Sequence, residues 1–234
     1  MNEAVILAGG FGTRLRQVVS DLPKPMAPVA GRPFLCHLLD RLQGCYDHVV
    51  LATGYMHEAV EEYFGSNYGG IKIDYARETK PLGTGGAIVN ALASCREERI
   101  TVLNGDTLFD IAHSQFIQQA DALPSRLVVA TRRVPDAGRY GALLTDEDSR
   151  IVAFAEKRAD GAPGQINGGI YRMQRQLLDA WKPGAAFSFE QEVLQQLAEP
   201  FYAIPSEAYF IDIGVPDDYH RAQLDLAPST KPSE

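Results

Sequence analysis

Short apolar runs alternate with helical patterns along the first 105 residues. Residues 4–7, 48–52, 71–75 and 100–103 are mostly apolar, which is typical of strands buried on both faces of a parallel sheet. Between the first two runs, apolar residues recur at helical spacing after Pro33, which is well placed as the first residue of a helix. Residues 58–64 predict the next helix, ended by Gly65. This alternation predicts a parallel sheet with helices on both faces.

The pattern changes after residue 126. Residues 127–131, 141–145 and 150–154 are closely spaced strand candidates, and DEDSR between the last two predicts a hairpin turn. Ser188 is a plausible cap for a helix that ends near Leu197, and Pro216 starts a final helix. We therefore predict an α/β fold, with a Rossmann-like, mostly parallel sheet flanked by helices and a smaller β-rich portion. One domain is expected over residues 1–226, in halves of about 1–125 and 126–226, followed by a disordered tail at 227–234.

Composition and charge exclude several classes of protein. The 234 residues are 45% hydrophobic with a net charge of −8, which disfavours binding to nucleic acid or to an anionic membrane. No apolar run approaches the ~20 residues that span a bilayer, so a cytoplasmic location is expected. The three cysteines lack CxxC spacing, and the five histidines lack metal-ligand spacing.

The first strand leads into a glycine-rich loop with the chemistry of a phosphate-binding site. Gly9, Gly10 and Gly12 allow backbone N–H groups to turn toward an anion, Thr13 adds a hydroxyl, and Arg14 adds a charged fork that can hold phosphate oxygens in pairs. Residues 1–32 carry a net charge of +2, whereas the remainder carries −10. A basic island in an acidic chain indicates local capture of an anion.

Two common phosphate loops do not fit this stretch. GxxxxGK[ST] is absent, and Leu15 occupies the third glycine position of the dinucleotide pattern. GGFGTRL followed by Pro23, Lys24 and Pro25 instead resembles the signature of sugar-phosphate nucleotidyltransferases. The resemblance extends over residues 4–224 through PLGTGGAI, NGDT, RYG, FAEK, INGGIY, FSFEQEVL and FIDIG. Within the family it is nearest to guanylyltransferases that act on a manno-configured heptose 1-phosphate.

The resemblance implies roles for residues of the first half of the chain. It implies that Arg14 and Lys24 are catalytic. It assigns nucleotide binding to the first loop and to a second, base-holding loop, with the residues Leu7, Ala8, Gly9, Gly10, Gly12, Thr13, Glu78, Gly83 and Thr84. A carboxylate only accepts hydrogen bonds, so Glu78 suits guanine, which presents donors at N1 and N2. Uracil also offers one donor, and the base therefore stays open.

Two aspartates at predicted strand ends indicate a metal site. Asp106 follows the strand over residues 100–103, at the edge where open α/β sheets bind ligands. Asp212 lies inside an apolar strand over residues 209–213, where a carboxylate is costly unless it is paired or metal-bound. In the family that this chain resembles, the matching residues bind Mg²⁺.

The second half is expected to bind the sugar phosphate. By resemblance, Gly141, Glu156 and Asn167 contact sugar hydroxyls and Lys157 contacts the sugar phosphate. Glu190 either reaches the sugar or complements the dipole at the start of its helix. As single residues these could all be turn or surface positions. As an ordered set they indicate a site.

The activity implied is transfer of GMP from GTP to D-glycero-α-D-manno-heptose 1-phosphate, with release of pyrophosphate and formation of GDP-heptose. The implied partners are GTP or another nucleoside triphosphate and a sugar 1-phosphate, and a homodimer is compatible with this interpretation. Two alternatives remain open. One is a uridylyl- or thymidylyltransferase acting on a hexose 1-phosphate, and the other is a non-catalytic regulatory subunit that binds a nucleotide sugar.

Overall fold

A computed structural model describes residues 1–10, 22–138, 140, 142–155, 162–196 and 198–227. Fourteen strands in this part of the chain, β1 to β14, are Glu3–Leu7, Pro28–Val29, Arg32–Pro33, His48–Thr53, Asn67–Tyr68, Ile71–Arg77, Arg99–Asn104, Thr107–Phe109, Leu127–Val134, Ala142–Thr145, Arg150–Ala155, Gly164–Gln174, Phe201–Ser206 and Phe210–Asp212. The α-helices α1 to α5 are Phe34–Leu42, His57–Phe64, Gly83–Leu92, His113–Ala122 and Pro216–Asp225. Shorter helical segments are Lys24–Met26, Arg175–Leu178 and a π-type turn at Phe189–Leu194.

Within the described residues, ten strands form one sheet in the order β10-β11-β13-β9-β12-β7-β1-β4-β6-β5. β7, β1, β4 and β6 are parallel neighbours, as predicted. β12 is antiparallel to both β7 and β9, so one reversed strand joins the two halves of the sheet. The predicted α/β fold class is confirmed.

Side chains on β1 show why this sheet is buried on both faces. Ala4 and Ile6 belong to one apolar layer, whereas Val5 belongs to the other. The first layer includes apolar side chains of α1, α2, α4 and α5. The second layer includes those of α3 and of the segments near residues 177 and 193. Helices therefore cover both faces, and no helix of the described chain is both long and apolar enough to cross a membrane.

A small second sheet places one predicted ligand beside another. β8 and β14 pair antiparallel, with Asp212 opposite Thr107. The backbone N–H of Ile213 also donates to the Asp106 carbonyl at 3.0 Å. The strand predicted over residues 209–213 is therefore present in shortened form, and it ends next to the end of β7.

Several predicted boundaries are wrong, and several elements were not predicted. Gly83, Gly85 and Gly86 of the base-holding loop form the first turn of α3. Pro33 precedes α1 instead of starting it, and the helix expected to reach Leu197 ends at Leu194. β12, β13 and α4 had no counterpart in the prediction. In β12, Gly168 and Gly169 form a bulge that interrupts the apolar alternation, so this strand resembles a loop in sequence.

Candidate functional site

A cleft of about 310 Å³ opens at the carboxyl ends of β1 and β7. This is the edge at which open α/β sheets bind ligands. Among the described residues, eight with roles expected from sequence line it: Leu7, Gly9, Gly10, Lys24, Glu78, Gly83, Thr84 and Asp106. The folded chain therefore brings the two predicted nucleotide loops and one predicted metal ligand to a single cavity.

Sequence reasoning missed five lining residues, which are Pro25, Pro81, Ala87, Asn104 and Gly105. The position of Asn104 and Gly105 at the end of a buried strand was the available signal for those two. Ala87 lies on the inward side of α3, and nothing in its residue type points to a ligand. The predicted Ala8 is itself buried, and its N–H donates to the Ala52 carbonyl at 2.8 Å.

Close backbone approaches explain two of the glycines around this cleft. A Cβ on Gly105 would lie 2.4 Å from the Leu7 carbonyl oxygen, which the Gly105 N–H already contacts at 3.1 Å. A Cβ on Gly9 would lie 2.8 Å from Oε1 of Glu78. The ends of β1, β6 and β7 therefore converge more closely than residues with side chains would permit.

A cation and two carboxylates meet on one side of the cleft. Nζ of Lys24 lies 2.5 Å from Oδ2 of Asp106, and the Lys24 side chain is 13% exposed. A Cβ on Gly214 would lie 3.1 Å from that same Nζ and 2.8 Å from Oδ1 of Asp212. Asp212 also accepts a hydrogen bond from the Gly214 N–H at 2.7 Å. Lys24, Asp106 and Asp212 thus form one compact charged group.

This group can hold a divalent cation if a ligand supplies further oxygens. Within the described ranges, no cluster of three or more His, Cys, Asp or Glu side chains is arranged for a metal. Mg²⁺ needs no such cluster, because it binds through one or two carboxylates together with water and substrate phosphates. Asp106, which lines the cleft, and Asp212 close by fit that donor set.

Glu78 stands at the opposite side of the cleft, on the turn between β6 and α3. Its Oε2 accepts a hydrogen bond from the Leu82 N–H at 2.9 Å, while Oε1 faces Gly9. Burial raises the pKa of the Glu78 carboxyl, and the bond from Leu82 partly opposes that shift. The carboxylate is fixed in direction and keeps lone pairs for a donor in the cleft.

Asn167, predicted to contact the sugar, lies at the β12 bulge with its amide already oriented. Its Oδ1 accepts from the Gly169 N–H at 2.9 Å, and its Nδ2 donates to the hydroxyl of Tyr171 at 2.7 Å. A Cβ on Gly169, where φ is +74°, would lie 2.8 Å from Nδ2 of Asn104, which lines the cleft. The bulge therefore places Gly169 against Asn104 of the cleft, and Asn167 lies two residues before Gly169.

Glu190 is not needed as the cap of its own helical segment. Ser188 accepts from the Gln191 N–H at 3.2 Å, and the Ser188 N–H donates to Glu192 at 2.8 Å. The Ser188 cap was predicted correctly. Burial raises the pKa of the Tyr171 hydroxyl, and the charge of Glu190 adds to that shift. Glu190 is exposed, and its charge acts on the Tyr171 hydroxyl.

Six residues with predicted roles lie outside the described residues: Gly12, Thr13, Arg14, Gly141, Glu156 and Lys157. The residues at 228–234, within the predicted tail, lie outside them too. The three cysteines are free thiols, and Cys36 and Cys95 are buried.

The chain is similar to several known proteins. A family model described as nucleotidyl transferase matches residues 3–229. The D-glycero-alpha-D-manno-heptose 1-phosphate guanylyltransferase of Aneurinibacillus thermoaerophilus is 46% identical, over 96% of this chain and 98% of that protein. The mannose-1-phosphate guanylyltransferase of Mycobacterium tuberculosis is 38% identical, over 99% of this chain and 66% of that protein. Among solved structures, HddC from Yersinia pseudotuberculosis complexed with GMP-PN is 37% identical with a TM-score of 0.86, over 97% of this chain and 100% of that one.

Proposed function

The chain belongs to the nucleotidyl transferase family, and from that premise we propose that it transfers GMP from GTP to D-glycero-α-D-manno-heptose 1-phosphate, forming GDP-heptose and pyrophosphate. One observation carries the proposal. The cleft is lined by Gly9 and Gly10, by the fixed carboxylate of Glu78 and by the Lys24–Asp106 pair, and Asp212 lies close to Lys24. This arrangement suits a nucleotide whose base and phosphates lie at opposite ends.

The reaction is an in-line displacement in which a sugar phosphate oxygen attacks the α-phosphorus. Because the nucleophile is already an anion, the protein has little proton transfer to perform, and positioning and charge neutralisation carry the catalysis. Lys24, paired with Asp106, neutralises phosphate charge at the reacting centre. Arg14 and Lys157 are proposed to hold the leaving pyrophosphate and the incoming sugar phosphate.

Asp106 and Asp212 would hold Mg²⁺. Bound there, the ion supplies neutralisation of charge that develops on the phosphates. Asp106 follows β7 directly, and Asp212 is fixed by the β14 pairing and by the Gly214 N–H. The two carboxylates are thus held by separate backbone elements.

Guanine selection is proposed to rest on Glu78. Its free lone pairs can accept from N1–H and N2–H of guanine, whereas adenine presents an acceptor at N1 and lacks the N2 amino group. The sugar side is proposed to consist of Asn167 and Glu190 with Gly141 and Glu156. We also propose that the protein forms a homodimer and is cytoplasmic. Neither property affects the chemistry described above.

A substrate panel tests the proposal. Pyrophosphate release is measured with GTP, UTP, dTTP, CTP and ATP, each with heptose, mannose and glucose 1-phosphates, in Mg²⁺ and in EDTA. The expected result is turnover with GTP and the heptose 1-phosphate that EDTA abolishes and added Mg²⁺ restores. Preference for UTP or dTTP with a hexose 1-phosphate would replace the guanylyl assignment. Nucleotide-sugar binding without turnover would favour the regulatory alternative.

A further inference from the structure

The helical segment that carries Glu190 is bonded directly to the base-holding loop. The Phe187 N–H donates to the Leu82 carbonyl at 2.9 Å, and the Gly85 N–H donates to the Phe187 carbonyl at 3.0 Å. A third bond runs from the Phe189 N–H to Oγ1 of Thr84 at 2.9 Å. The first two bonds join backbone atoms. The third uses a side chain, so a substitution can remove it.

The fit between loop and segment leaves no room for independent movement. A Cβ on Gly85 would lie 2.1 Å from the Phe187 ring, and a Cβ on Gly86 would lie 2.2 Å from the Ala185 carbonyl oxygen. The backbone of the loop is therefore packed directly against the Phe187 ring and the Ala185 carbonyl group. A shift of the loop must carry the segment with it.

Thr84 caps this segment from the other half of the chain. The first N–H groups of a helix have no partner within that helix. Ser188 satisfies the Gln191 N–H, and Thr84, 105 residues before Phe189, satisfies the N–H of Phe189. Thr84 also lines the cleft, so its hydroxyl hydrogen is available to a ligand there.

Defined contacts continue from the capped residue to the predicted sugar side. The Phe189 ring meets the Tyr171 ring edge to face at 5.2 Å, and both side chains are buried. The Tyr171 hydroxyl accepts from Asn167. The position of the Phe189 backbone therefore affects both Glu190, which follows it, and Asn167.

We propose that Thr84 is a positioning residue that couples the nucleotide loop to the sugar side, an inference that rests on the proposed function. A nucleotide acceptor that takes the Thr84 O–H fixes the hydroxyl with a lone pair toward the Phe189 N–H. Hydrogen bonds in such a chain strengthen one another. Nucleotide binding then stabilises the placement of Glu190 and Asn167, and the sugar 1-phosphate binds more tightly to the nucleotide-bound protein.

Isothermal calorimetry measures this coupling. The Kd of the sugar 1-phosphate is determined with and without saturating guanosine 5′-[α,β-methylene]triphosphate and Mg²⁺, and the ratio is the coupling factor. Linkage requires the same factor when the order is reversed. Direct contacts between the ligands contribute equally in all variants, so the comparison between variants isolates the protein. Thr84→Val is expected to lower the factor by roughly two- to tenfold, the value of one neutral hydrogen bond.

Matched variants make the outcome specific. Thr84→Ser keeps the hydroxyl and should keep the wild-type factor, and Thr84→Ala should repeat the loss seen in Thr84→Val. Ser188→Ala removes the other cap of the same segment without touching the loop, and should also keep the wild-type factor. An unchanged factor in Thr84→Val, or an equal loss in Ser188→Ala, would overturn the proposal.

The outcome of this test does not depend on whether the nucleotide is GTP. The factor is measured with whichever nucleotide and sugar 1-phosphate the wild type binds in the substrate panel. If that nucleotide is UTP, its α,β-methylene analogue replaces the guanosine compound. A failed guanine assignment therefore leaves the expected difference between Thr84→Val and Thr84→Ser unchanged.

Discussion

At the scale of single residues, Glu78 serves the loop and the cleft at once. One carboxylate oxygen fixes the turn through the Leu82 N–H, while the other faces Gly9. Burial raises its pKa, so this carboxylate becomes protonated at a higher pH than an exposed one. Base recognition by this group requires the charged form, because a protonated carboxyl would place a donor against the guanine donors.

Glu78→Gln is therefore expected to narrow the preference for GTP over ATP in kcat/KM. The wild-type preference should be roughly ten- to a hundredfold, since a base without donors leaves the carboxylate unsatisfied at a cost of ~1 to 3 kcal/mol. In the wild type, KM for GTP should rise as the pH falls through the raised pKa, and Glu78→Gln should lack that rise. Glu62→Gln, at an exposed position of α2, is the control. An unchanged base preference in Glu78→Gln would transfer base recognition to the backbone of residues 82–86.

At the scale of elements, the junction of β1 and β7 depends on the missing side chain of Gly105. Gly105→Ala is expected to lower the free energy of unfolding by about 1 to 3 kcal/mol, because a methyl group would meet the Leu7 carbonyl oxygen at 2.4 Å. Gly10→Ala, where no atom of the described residues lies within 4 Å of the added atom, is the matched control. Urea unfolding of both variants checks the difference. Equal stability of the two would show that the strand ends separate easily.

The same scale shows which parts of the fold are readable from sequence. β1, β4 and β7 are runs of apolar residues, and local patterns suffice to find them. β12 is not readable in this way, because its pairing on both sides continues across a glycine bulge that looks like a turn. α4 buries Phe116, Ile117 and Ala120 among polar neighbours, so its apolar stripe is narrow.

The candidate site likewise has residues that local sequence predicts and contacts that it does not predict. The glycine loops and the strand-end carboxylates belong to short sequence motifs, and the resemblance to the family identified those motifs. The Thr84 contact with Phe189 and the pairing of Asp212 with Thr107 join residues about a hundred positions apart. Such contacts are set by the packing of whole elements, and local sequence carries no signal for them.

At the scale of the whole molecule, buried and paired carboxylates make the fold sensitive to acid. Glu3 is fully buried and accepts from the Arg96 and Glu97 N–H groups at 2.7 Å and from His48 at 2.8 Å. Burial alone would raise its pKa, but these hydrogen bonds hold the pKa below the ordinary 4.5. The pKa values of Asp74 and Asp121 are also lowered, by Lys72 and His48 and by Arg172 and Arg99 respectively.

A lowered pKa in the folded state stabilises the protein above the ordinary value and ceases to do so as the pH falls through the folded-state pKa. Stability is therefore expected to fall below about pH 4.5. Glu3→Gln should cost about 1 to 3 kcal/mol at pH 7, because an amide cannot accept all three bonds, and should lose less on acidification. Urea unfolding at pH 7 and pH 4 measures both effects. A variant as stable as the wild type at pH 7 would contradict this role.

The reversed strand β12 has a consequence for synthesis on the ribosome. β7 is complete at Asn104, but the neighbour that covers its outer edge is complete at Gln174, about 70 residues later. At ~5 to 20 residues per second, that interval is roughly 4 to 14 s. During it, the nascent chain carries a central strand with an open edge, which is a template for pairing with other chains. Escape from aggregation during translation thus depends on how quickly β12 pairs with that open edge.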